Sequence, residues 1–365
     1  MRVLVVGAGP AGLYFSYLLR KANPRCELRV VEQNRADSTF GFGVVFSDRA
    51  LEFLRGDDPE TYDLITPQME AWSDITIVHR GTPVVIDGIG FAAIGRLKLL
   101  QLLQQQAASV GVVPEYETVL SAEPSGYDLI VAADGVNSTA RRWRNFGTSI
   151  SRLENRFAWY GTPRVFDTLT QTFVSNQDGS FNAHHYRHSP QMSTFVVECD
   201  PATWDRVAFA AMDEQETMAY FEKVFAATLA GERLVSNNSM WRNFPNLRNR
   251  KWSVDNLVLI GDALRTAHFS IGSGTRLAME DAIALNKALG EKTSVEKALA
   301  SFEAARRPIV EKLVAAADAS GDWYERFPEH MKLAPREFAW SYIQRSGRID
   351  PDRLRKISPR FVDGK

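Results

Sequence analysis

The sequence predicts an α/β fold: a βαβ domain is interrupted by a mainly antiparallel β-sheet and followed by a helical C-terminus. Three observations predict it. The chain opens with an apolar, β-branched run that leads into a glycine-rich turn, its middle part alternates aromatic and polar residues as strands do, and its last part is typical of helices. The 365 residues suffice for two intimately joined domains.

The first element is a strand that turns sharply into a helix. Residues 3–6 form the strand, and an apolar helical stretch follows the turn. The turn and the start of the helix carry Gly7, Gly9, Ala11 and Gly12. Gly7 permits the tight turn, Gly9 lets a pyrophosphate approach the backbone, and Gly12 lets the helix pack close to the strand. The motif therefore places a helix N-terminus where it can bind phosphates.

An acidic residue ends the second strand. Residues 28–31 are an apolar strand that leads directly to Glu32, about twenty residues beyond the last glycine. A carboxylate at this place accepts hydrogen bonds from ribose hydroxyls. Strand, glycines, helix, strand and acid in this order predict a Rossmann-like dinucleotide-binding domain.

The remaining elements follow in chain order. A glycine-punctuated loop over 39–47 precedes a helix, 96–108 has the leucine spacing of an amphipathic helix, and 127–132 returns to a buried strand. Alternating segments predict further strands at 157–161, 172–175, 181–184 and 193–198, and the first domain resumes with a strand at 257–260 and a helix at 275–289. We predict the two halves of the dinucleotide domain at 1–150 and 251–300, a substrate-binding sheet domain at 151–250 with part of 40–95, and a helical segment at 301–365.

Composition and charge exclude several classes of function. A formal net charge of -1 gives no global field that attracts nucleic acid or an anionic membrane, and no apolar stretch reaches the roughly eighteen residues of a membrane span. Cys26 and Cys199 are far apart and lack metal-ligand spacing, so we expect neither a disulfide framework nor a zinc site. We expect a cytoplasmic protein, a monomer or homodimer, that acts on a small molecule.

Two further motifs place an acid and a glycine at strand ends. Asp134-Gly135 follows the strand near 129–132, and Gly261-Asp262 follows the strand at 257–260. Asp262 is placed to accept a hydrogen bond from a ribityl hydroxyl. The next helix is opened by Gly272, Gly274 and Thr275. Its backbone N–H groups are available to an isoalloxazine edge. A simple NAD dehydrogenase explains neither motif.

Together these motifs resemble the class A flavoprotein aromatic hydroxylases over nearly the whole chain. The resemblance implies a para-hydroxybenzoate-hydroxylase-like fold, tightly bound FAD, NADH or NADPH as co-substrate, and O2. In that family an arginine that opens the helix before the Asp-Gly motif also contacts FAD, and Arg96 occupies the matching place. The resemblance further implies that the reduced flavin binds O2 as a C4a-hydroperoxide, which an activated aromatic ring then attacks.

Several segments narrow the resemblance to one subgroup, which contains the salicyloyl-CoA and anthraniloyl-CoA hydroxylases and the violacein-pathway indole hydroxylase. They are 40–48, 94–96, 159–162, 193–198 and 267–275. The subgroup implies a hydroxylase of an aryl-CoA thioester, such as 5-hydroxylation of salicyloyl-CoA, or of an indole-derived natural-product intermediate. The late motif departs from the wider family, because residues 268–270 stand where a proline commonly precedes the glycines.

The candidate catalytic residue is His268, which lies in a short loop between a strand and a helix of the FAD domain. It can orient the substrate or polarise its oxygen, since imidazole titrates near neutrality. The alternative is a packed loop histidine. Candidate substrate contacts are Phe42, Trp159, Tyr160, His184, Phe195 and Phe269.

Other assignments stay open. His184, Tyr186 and His188 share one face of a strand, which suggests a metal site, but a polar pocket wall is preferred because no acidic or cysteine ligands accompany them. Arg306 and Arg307 are candidates for CoA phosphates, with solvated helical charge as the default. A non-oxygenating flavin enzyme and a non-catalytic flavoprotein are the alternative functions.

Overall fold

The computed structural model describes residues 1–47 and 51–364. Its strands are β1 (Arg2–Val6), β2 (Glu27–Val31), β3 (Gly43–Ser47), β4 (Glu70–Trp72), β5 (Ile75–His79), β6 (Thr82–Ile86), β7 (Phe91–Gly95), β8 (Leu129–Ala132), β9 (Thr148–Thr162), β10 (Leu169–Asn176), β11 (Gly179–Ser189), β12 (Met192–Cys199), β13 (Arg242–Asn249), β14 (Ser253–Val254) and β15 (Leu257–Leu259). Its α-helices are α1 (Pro10–Ala22), α2 (Glu52–Asp57), α3 (Pro59–Ile65), α4 (Arg96–Ser109), α5 (Pro201–Val207), α6 (Glu214–Val224), α7 (Ala226–Leu229), α8 (Gly274–Glu291), α9 (Val295–Glu325), α10 (Phe327–His330), α11 (Pro335–Gln344), α12 (Pro351–Ile357) and α13 (Pro359–Asp363).

A five-stranded sheet forms the dinucleotide domain, in the order β14-β15-β8-β1-β2. β15, β8, β1 and β2 run parallel, and β14 is an antiparallel edge. Because the parallel strands are buried on both faces, they are continuous apolar runs, as residues 3–6 and 129–132 illustrate. α1 packs against α4 and α8. The predicted α/β fold with a Rossmann-like domain is confirmed.

A seven-stranded sheet, in the order β13-β9-β12-β11-β10-β5-β6, is the inserted sheet. Its pairs are antiparallel except β10 with β5. The strands from the 40–95 region, β5 and β6, lie at one edge of it. One face packs against α5, α6 and α7 in an aromatic core, and the other faces the dinucleotide domain and the C-terminal helices. The domain limits stay a prediction.

A third, three-stranded sheet corrects the loop predicted over 39–47. Gly43–Ser47 is strand β3, which pairs antiparallel with β7, and β4 pairs with the other edge of β7. The valines and Phe46 of this segment are β-branched or aromatic and partly or fully buried, which favours a strand over the loop suggested by the glycines. Asp48, part of the subgroup segment 40–48, lies outside the described residues.

The C-terminal segment is helical, as predicted, from α9 to α13. Its last helices are fixed to the β6 end, because Ser358 Oγ donates to Asp87 O and the Phe361 backbone N–H donates to Asp87 Oδ1 at 2.8 Å. Across residues 1–47 and 51–364, none of the helices is long and apolar enough to span a bilayer.

Candidate active site

A cavity of about 300 Å³ lies between the dinucleotide domain and the inserted sheet. Its walls come from segments far apart in sequence. One end is lined by Gly9, Pro10, Ala11, Arg96, Gly135, Asp262, Gly272, Gly274 and Thr275, and the other by Phe157, Trp159, His184, Tyr186, Val196, Phe244 and Phe269. A smaller cavity of about 180 Å³ shares Gly9, Arg96 and Thr275 with the first and extends it to Glu32. The result is one elongated site with a polar, glycine-rich end and an aromatic end.

Three helices present their N-terminal residues to the polar end. They are α1, α4 and α8, and none carries an acidic residue in its first turn. The partial positive charge of these helix ends is therefore available to an anion. Arg96 adds a full positive charge, and among the described residues its guanidinium has no carboxylate partner but lies 5.7 Å from the centre of the Trp159 ring. This end of the site suits phosphates.

The glycines of the first motif have distinct roles. A Cβ on Gly12 would lie 1.9 Å from the Gly7 carbonyl oxygen, and Gly7, at φ +102°, lies against the backbone at Ala133. Gly9 has open space around it because it faces the cavity. Gly7 and Gly12 therefore allow close packing, and Gly9 leaves room for a ligand; the approach of a pyrophosphate to Gly9 stays a prediction.

Glu32 is held at the far end of the smaller cavity. Its carboxylate accepts hydrogen bonds from the Ala8 backbone N–H at 2.8 Å and from the Asn34 backbone N–H at 2.9 Å. These bonds connect the end of β2 to the glycine-rich turn. They fix the carboxylate where a ribose of a dinucleotide bound along α1 would lie.

Asp262 projects into the larger cavity. Its side chain is exposed to that space, yet surrounding protein desolvates the carboxylate and raises its pKa, while the positive charges of Arg265 and Arg96 oppose the shift. An oxygen acceptor in this position is suited to a hydroxyl of the ligand. Its neighbour Gly261, at φ +60°, makes the turn that exposes it.

Asp134 holds its own loop and does not line the cavity. Its carboxylate accepts from Ser138 Oγ and from the backbone N–H groups of Thr139 at 2.7 Å and Ala140 at 3.1 Å. Gly135 next to it, at φ +78°, does line the cavity. The direct contact predicted for Asp134 is therefore corrected to a positioning role, because its oxygens are already engaged.

A buried ion-pair network supports the Gly261-Asp262 turn. Asp281 of α8 is fully buried, and its Oδ2 accepts from the Gly261 backbone N–H at 3.1 Å and from Arg265 Nη1 at 2.6 Å. Its Oδ1 accepts from Arg306 Nε at 3.3 Å, and Arg306 also donates to Glu280 at 2.8 Å. Neither reading of Arg306, CoA contact or solvated charge, is right, since α9 buries its guanidinium against α8.

At the aromatic end, the strand pattern decides which rings reach the cavity. Phe157 and Trp159 alternate with residues of the opposite face, so both line it, and Phe269 packs on them with ring centroids at 4.9 and 5.7 Å. Trp159, His184 and Phe269 were predicted as substrate contacts and do line the cavity.

Tyr160 and Phe195 were predicted as substrate contacts too, and this prediction is wrong. Both are at most 2% exposed and belong to the core on the other face of the sheet. Phe195 packs on Phe225 and stacks with His185 at 5.2 Å. Successive strand residues point to opposite faces, so Tyr160 cannot share the cavity with Trp159.

Phe42 is also outside the cavity. Its ring covers Gly161, where a Cβ would lie 2.5 Å from it, and it lines a separate surface groove beside His188. The prediction of Phe42 as a substrate contact is therefore wrong. Gly161 carries no side chain, and the Phe42 ring fills the resulting space.

His268 does not line the cavity either. Its Nδ1 bonds to Ser270 Oγ at 2.7 Å, and its ring packs against Phe244 and Phe269. Burial, with the positive charge of Arg345, lowers its pKa to about 3, so it is neutral. A 3₁₀ turn at Phe269–Ile271 directs Phe269 into the cavity instead. The structure therefore does not bring His268, the predicted catalytic residue, to the cavity, and it favours the alternative of a packed loop histidine.

Sequence reasoning missed Phe157, Val196 and Phe244. The alternation with Trp159 is a signal that could have found Phe157. Phe244 gives no such signal, because it reaches the cavity only through the bulged pairing of β13 with β9. Within the described residues no group of three or more His, Cys, Asp or Glu side chains could hold a metal ion.

Glu198 is a fully buried carboxyl on the cavity face of β12. Burial, with the negative charge of Glu325, raises its pKa to about 8, although the Asn155 amide donates to it at 2.9 Å. The folded state therefore prefers the protonated form. Since 4.5 is its ordinary value, its contribution to stability is complete below about pH 4.5 and is lost as the pH rises through about 8.

We expect Glu198→Gln to stabilise the protein relative to wild type at pH 8.5 but not at pH 4.5. The difference in unfolding free energy between the variant and wild type should grow by up to about 1.4 kcal/mol per pH unit between these two pH values, because glutamine stays neutral. Urea unfolding at several pH values measures it, with the exposed Glu291→Gln as the control. A pH-independent difference would contradict the raised pKa.

The residues of the elongated site suit FAD. The site offers an open glycine at a helix N-terminus, an arginine without a carboxylate partner in the described chain, and carboxylates at Glu32 and Asp262. The glycine at the helix N-terminus and the arginine suit a pyrophosphate. Glu32 suits the hydroxyls of a ribose, and Asp262 suits those of a ribityl chain. The backbone N–H groups at the start of α8 belong to the same polar end.

Comparison with known proteins agrees with this geometry. The model of the FAD binding domain family matches residues 116–317, more than half of the chain. Salicyloyl-CoA 5-hydroxylase of Streptomyces sp is 40% identical over 361 residues, covering 95% of this chain and 70% of the relative. Protodeoxyviolaceinate monooxygenase of Chromobacterium violaceum is 36% identical over 365 residues, covering 96% of each.

Solved structures show the same fold. The tetrameric form of 2-methyl-3-hydroxypyridine-5-carboxylic acid oxygenase superposes with a TM-score of 0.75 at 18% identity, over 98% of this chain and 95% of that one. The cofactors that the sequence predicted, FAD with NADH or NADPH and O2, are those of the family. This chain belongs to the FAD-dependent aromatic monooxygenases.

Proposed function

We propose that the protein hydroxylates an activated aromatic ring presented as an aryl-CoA thioester, as in the 5-hydroxylation of salicyloyl-CoA. The observation that carries the proposal is the elongated site, with an FAD-binding end continuous with an aromatic end. The relative that is 40% identical over 95% of the chain supports the choice of substrate. The overall reaction consumes the ring C–H, O2, NAD(P)H and a proton, and yields the ring C–OH, water and NAD(P)⁺.

The residues of the polar end bind and orient the cofactor. The N-terminus of α1 with Gly9 holds the pyrophosphate, Glu32 accepts from the ribose, and Asp262 accepts from the ribityl chain. Arg96 supplies positive charge beside them. FAD bound there would supply the redox chemistry, namely hydride acceptance from the nicotinamide and transfer of one oxygen atom of O2 to the substrate.

The residues of the aromatic end hold the ring and exclude water. Trp159 and Phe269 lie 5.7 Å apart and provide apolar faces for an aromatic substrate. An apolar enclosure excludes water, which limits the release of hydrogen peroxide in place of hydroxylation, and it holds the ring in a fixed orientation. No strong acid or base is needed, since a phenol or aniline is already electron-rich.

A second candidate is hydroxylation of an indole-derived natural-product intermediate. The 36% identity to protodeoxyviolaceinate monooxygenase, over 96% of both chains, favours it. The broad aromatic wall formed by Phe157, Trp159 and Phe269 suits a fused ring as well as a single one.

The proposal is tested by NAD(P)H oxidation with the FAD-loaded protein. The substrates are salicyloyl-CoA, anthraniloyl-CoA, the two free acids and an indolic compound, with the product mass followed in parallel. A gain of one oxygen on a CoA thioester, coupled to NAD(P)H loss, is the expected result. Conversion of the indole alone would establish the second candidate, and NAD(P)H oxidation without any oxygenated product would overturn both.

A further inference from the structure

Four buried polar side chains on the cavity-facing side of the seven-stranded sheet have atoms without a hydrogen-bond partner among the described residues. They are Asn155, Gln171, His184 and Glu198, which we call the polar pocket floor. The unpaired atoms are both ring nitrogens of His184, Nε2 of Gln171, Oε2 of Glu198 and Oδ1 of Asn155. Each such buried atom costs about 1–3 kcal/mol, and His184, which lines the cavity, has two of them, which points to a ligand at its ring.

The members of the polar pocket floor are neighbours on one face of the sheet. Gln171 lies directly opposite His184 across β10 and β11, and Glu198 lies opposite Asn182, two residues from His184 on the same face. Asn155 Nδ2 donates to Glu198 Oε1 at 2.9 Å. The Tyr324 hydroxyl, on helix α9, donates to Gln171 Oε1 at 2.9 Å. These hydrogen bonds fix the positions of Asn155, Glu198 and Gln171.

His184 is where this cluster meets the cavity. It is 4% exposed, lines the cavity, and lies 6.4 Å from the Phe269 ring and 5.6 Å from the Tyr186 ring, centre to centre. Two other polar groups that line this part of the cavity are already engaged or cannot accept. Tyr186 donates to Gly43 O at 3.1 Å, and the unpaired indole N–H of Trp159 is a donor only.

The charge state of His184 defines what it binds. Burial lowers its pKa to about 3, and Arg345 contributes positive charge nearby, so the imidazole is neutral. Arg345 itself is held by Tyr342 O at 2.8 Å and Ser270 O at 2.9 Å. A neutral imidazole has one nitrogen that accepts and one that donates, which matches a hydroxyl or amino group.

We propose that His184 binds the hydroxyl or amino substituent of the substrate ring. This inference rests on the proposed function and deepens it, because it selects rings that carry a hydrogen-bond donor. An imidazole nitrogen that accepts from this donor makes the substituent more electron-donating, and it holds the ring in a fixed orientation beside Trp159 and Phe269.

The test compares ligands with and without the donor on the FAD-loaded protein. Binding of salicyloyl-CoA and benzoyl-CoA is measured without NAD(P)H, from the change in flavin absorbance. We expect His184→Phe to raise the Kd of salicyloyl-CoA at least about tenfold and that of benzoyl-CoA less than about threefold. With NAD(P)H present, less product should form per NAD(P)H and more hydrogen peroxide should appear.

Two further variants separate recognition from folding. His184→Gln keeps an amide acceptor and should restore part of the selectivity for salicyloyl-CoA. His188→Gln, on the same strand but in the surface groove, is the matched control and should leave both affinities unchanged. Equal weakening of both ligands by His184→Phe, in a variant that retains FAD, would overturn this inference alone. Failure of wild type to bind either thioester or to oxidise NAD(P)H with any aromatic compound would overturn the proposed function with it.

Discussion

The Asp281→Asn variant is expected to lose about 3–5 kcal/mol of unfolding free energy and most of its bound FAD. Asparagine removes the charge that Arg265 and Arg306 share, and it leaves two buried guanidinium groups without that carboxylate. Asparagine also has an amide nitrogen in place of one carboxylate oxygen. In the wild type, Oδ2 of Asp281 accepts a hydrogen bond from the Gly261 backbone N–H. The turn that exposes Asp262 to the cavity then loses its anchor on α8.

Urea unfolding and the flavin content after purification measure the two effects of Asp281→Asn. Glu291→Gln, at the exposed C-terminal end of the same helix, is the matched control and should change neither. Wild-type stability in the Asp281 variant would show that α8 and the Gly261 turn are held by packing alone. Normal flavin content in a strongly destabilised variant would contradict the coupling to the cofactor.

Gly12→Ala and Gly9→Ala are expected to act on different properties: the first on stability, the second on FAD binding. Gly12→Ala should cost about 3 kcal/mol or more, because its Cβ would lie 1.9 Å from the Gly7 carbonyl oxygen. Gly9→Ala should leave the stability of the apoprotein within about 0.5 kcal/mol, since its φ of -75° is ordinary and nothing lies within 4 Å. It should nevertheless weaken FAD binding at least about tenfold, because the methyl group occupies the approach of the pyrophosphate.

These two profiles are measured by urea unfolding of the apoproteins and by titration with FAD. The pair is its own control, since the substitution is the same and the positions are three residues apart. A Gly9→Ala variant with unchanged FAD affinity would show that the pyrophosphate lies elsewhere. A Gly12→Ala variant as stable as wild type would mean that the turn relaxes without cost.

The cofactor end of the site could be predicted from the sequence because its geometry is local. The roles of Gly7, Gly9 and Gly12 depend on a turn of a few residues, and Glu32 follows at the end of the next strand. Arg96 and Asp262 were found through their places at a helix start and a strand end. Their convergence follows from the parallel sheet, whose carboxyl ends meet at one edge.

The substrate end could not be predicted to the same depth because it depends on register and on helix pairing. Choosing Trp159 over Tyr160 requires knowing which face of β9 is turned to the dinucleotide domain. Choosing Phe269 over His268 requires a 3₁₀ turn that adjacent sequence does not specify. The burial of Arg306 depends on the way α9 crosses α8, some 25 residues earlier in the chain.

The two faces of the seven-stranded sheet should differ in their tolerance to substitution. Residues of β9, β11 and β12 alternate between the cavity and an aromatic core that is closed by α5, α6 and α7. Exchanging Phe157, His184 or Val196 reshapes the cavity without disturbing the packing of Ala158, Ala183 or Val197 behind them. We therefore expect a few substitutions at these alternate positions to admit new aromatic substrates while the strands, the core and the cofactor end keep their structure.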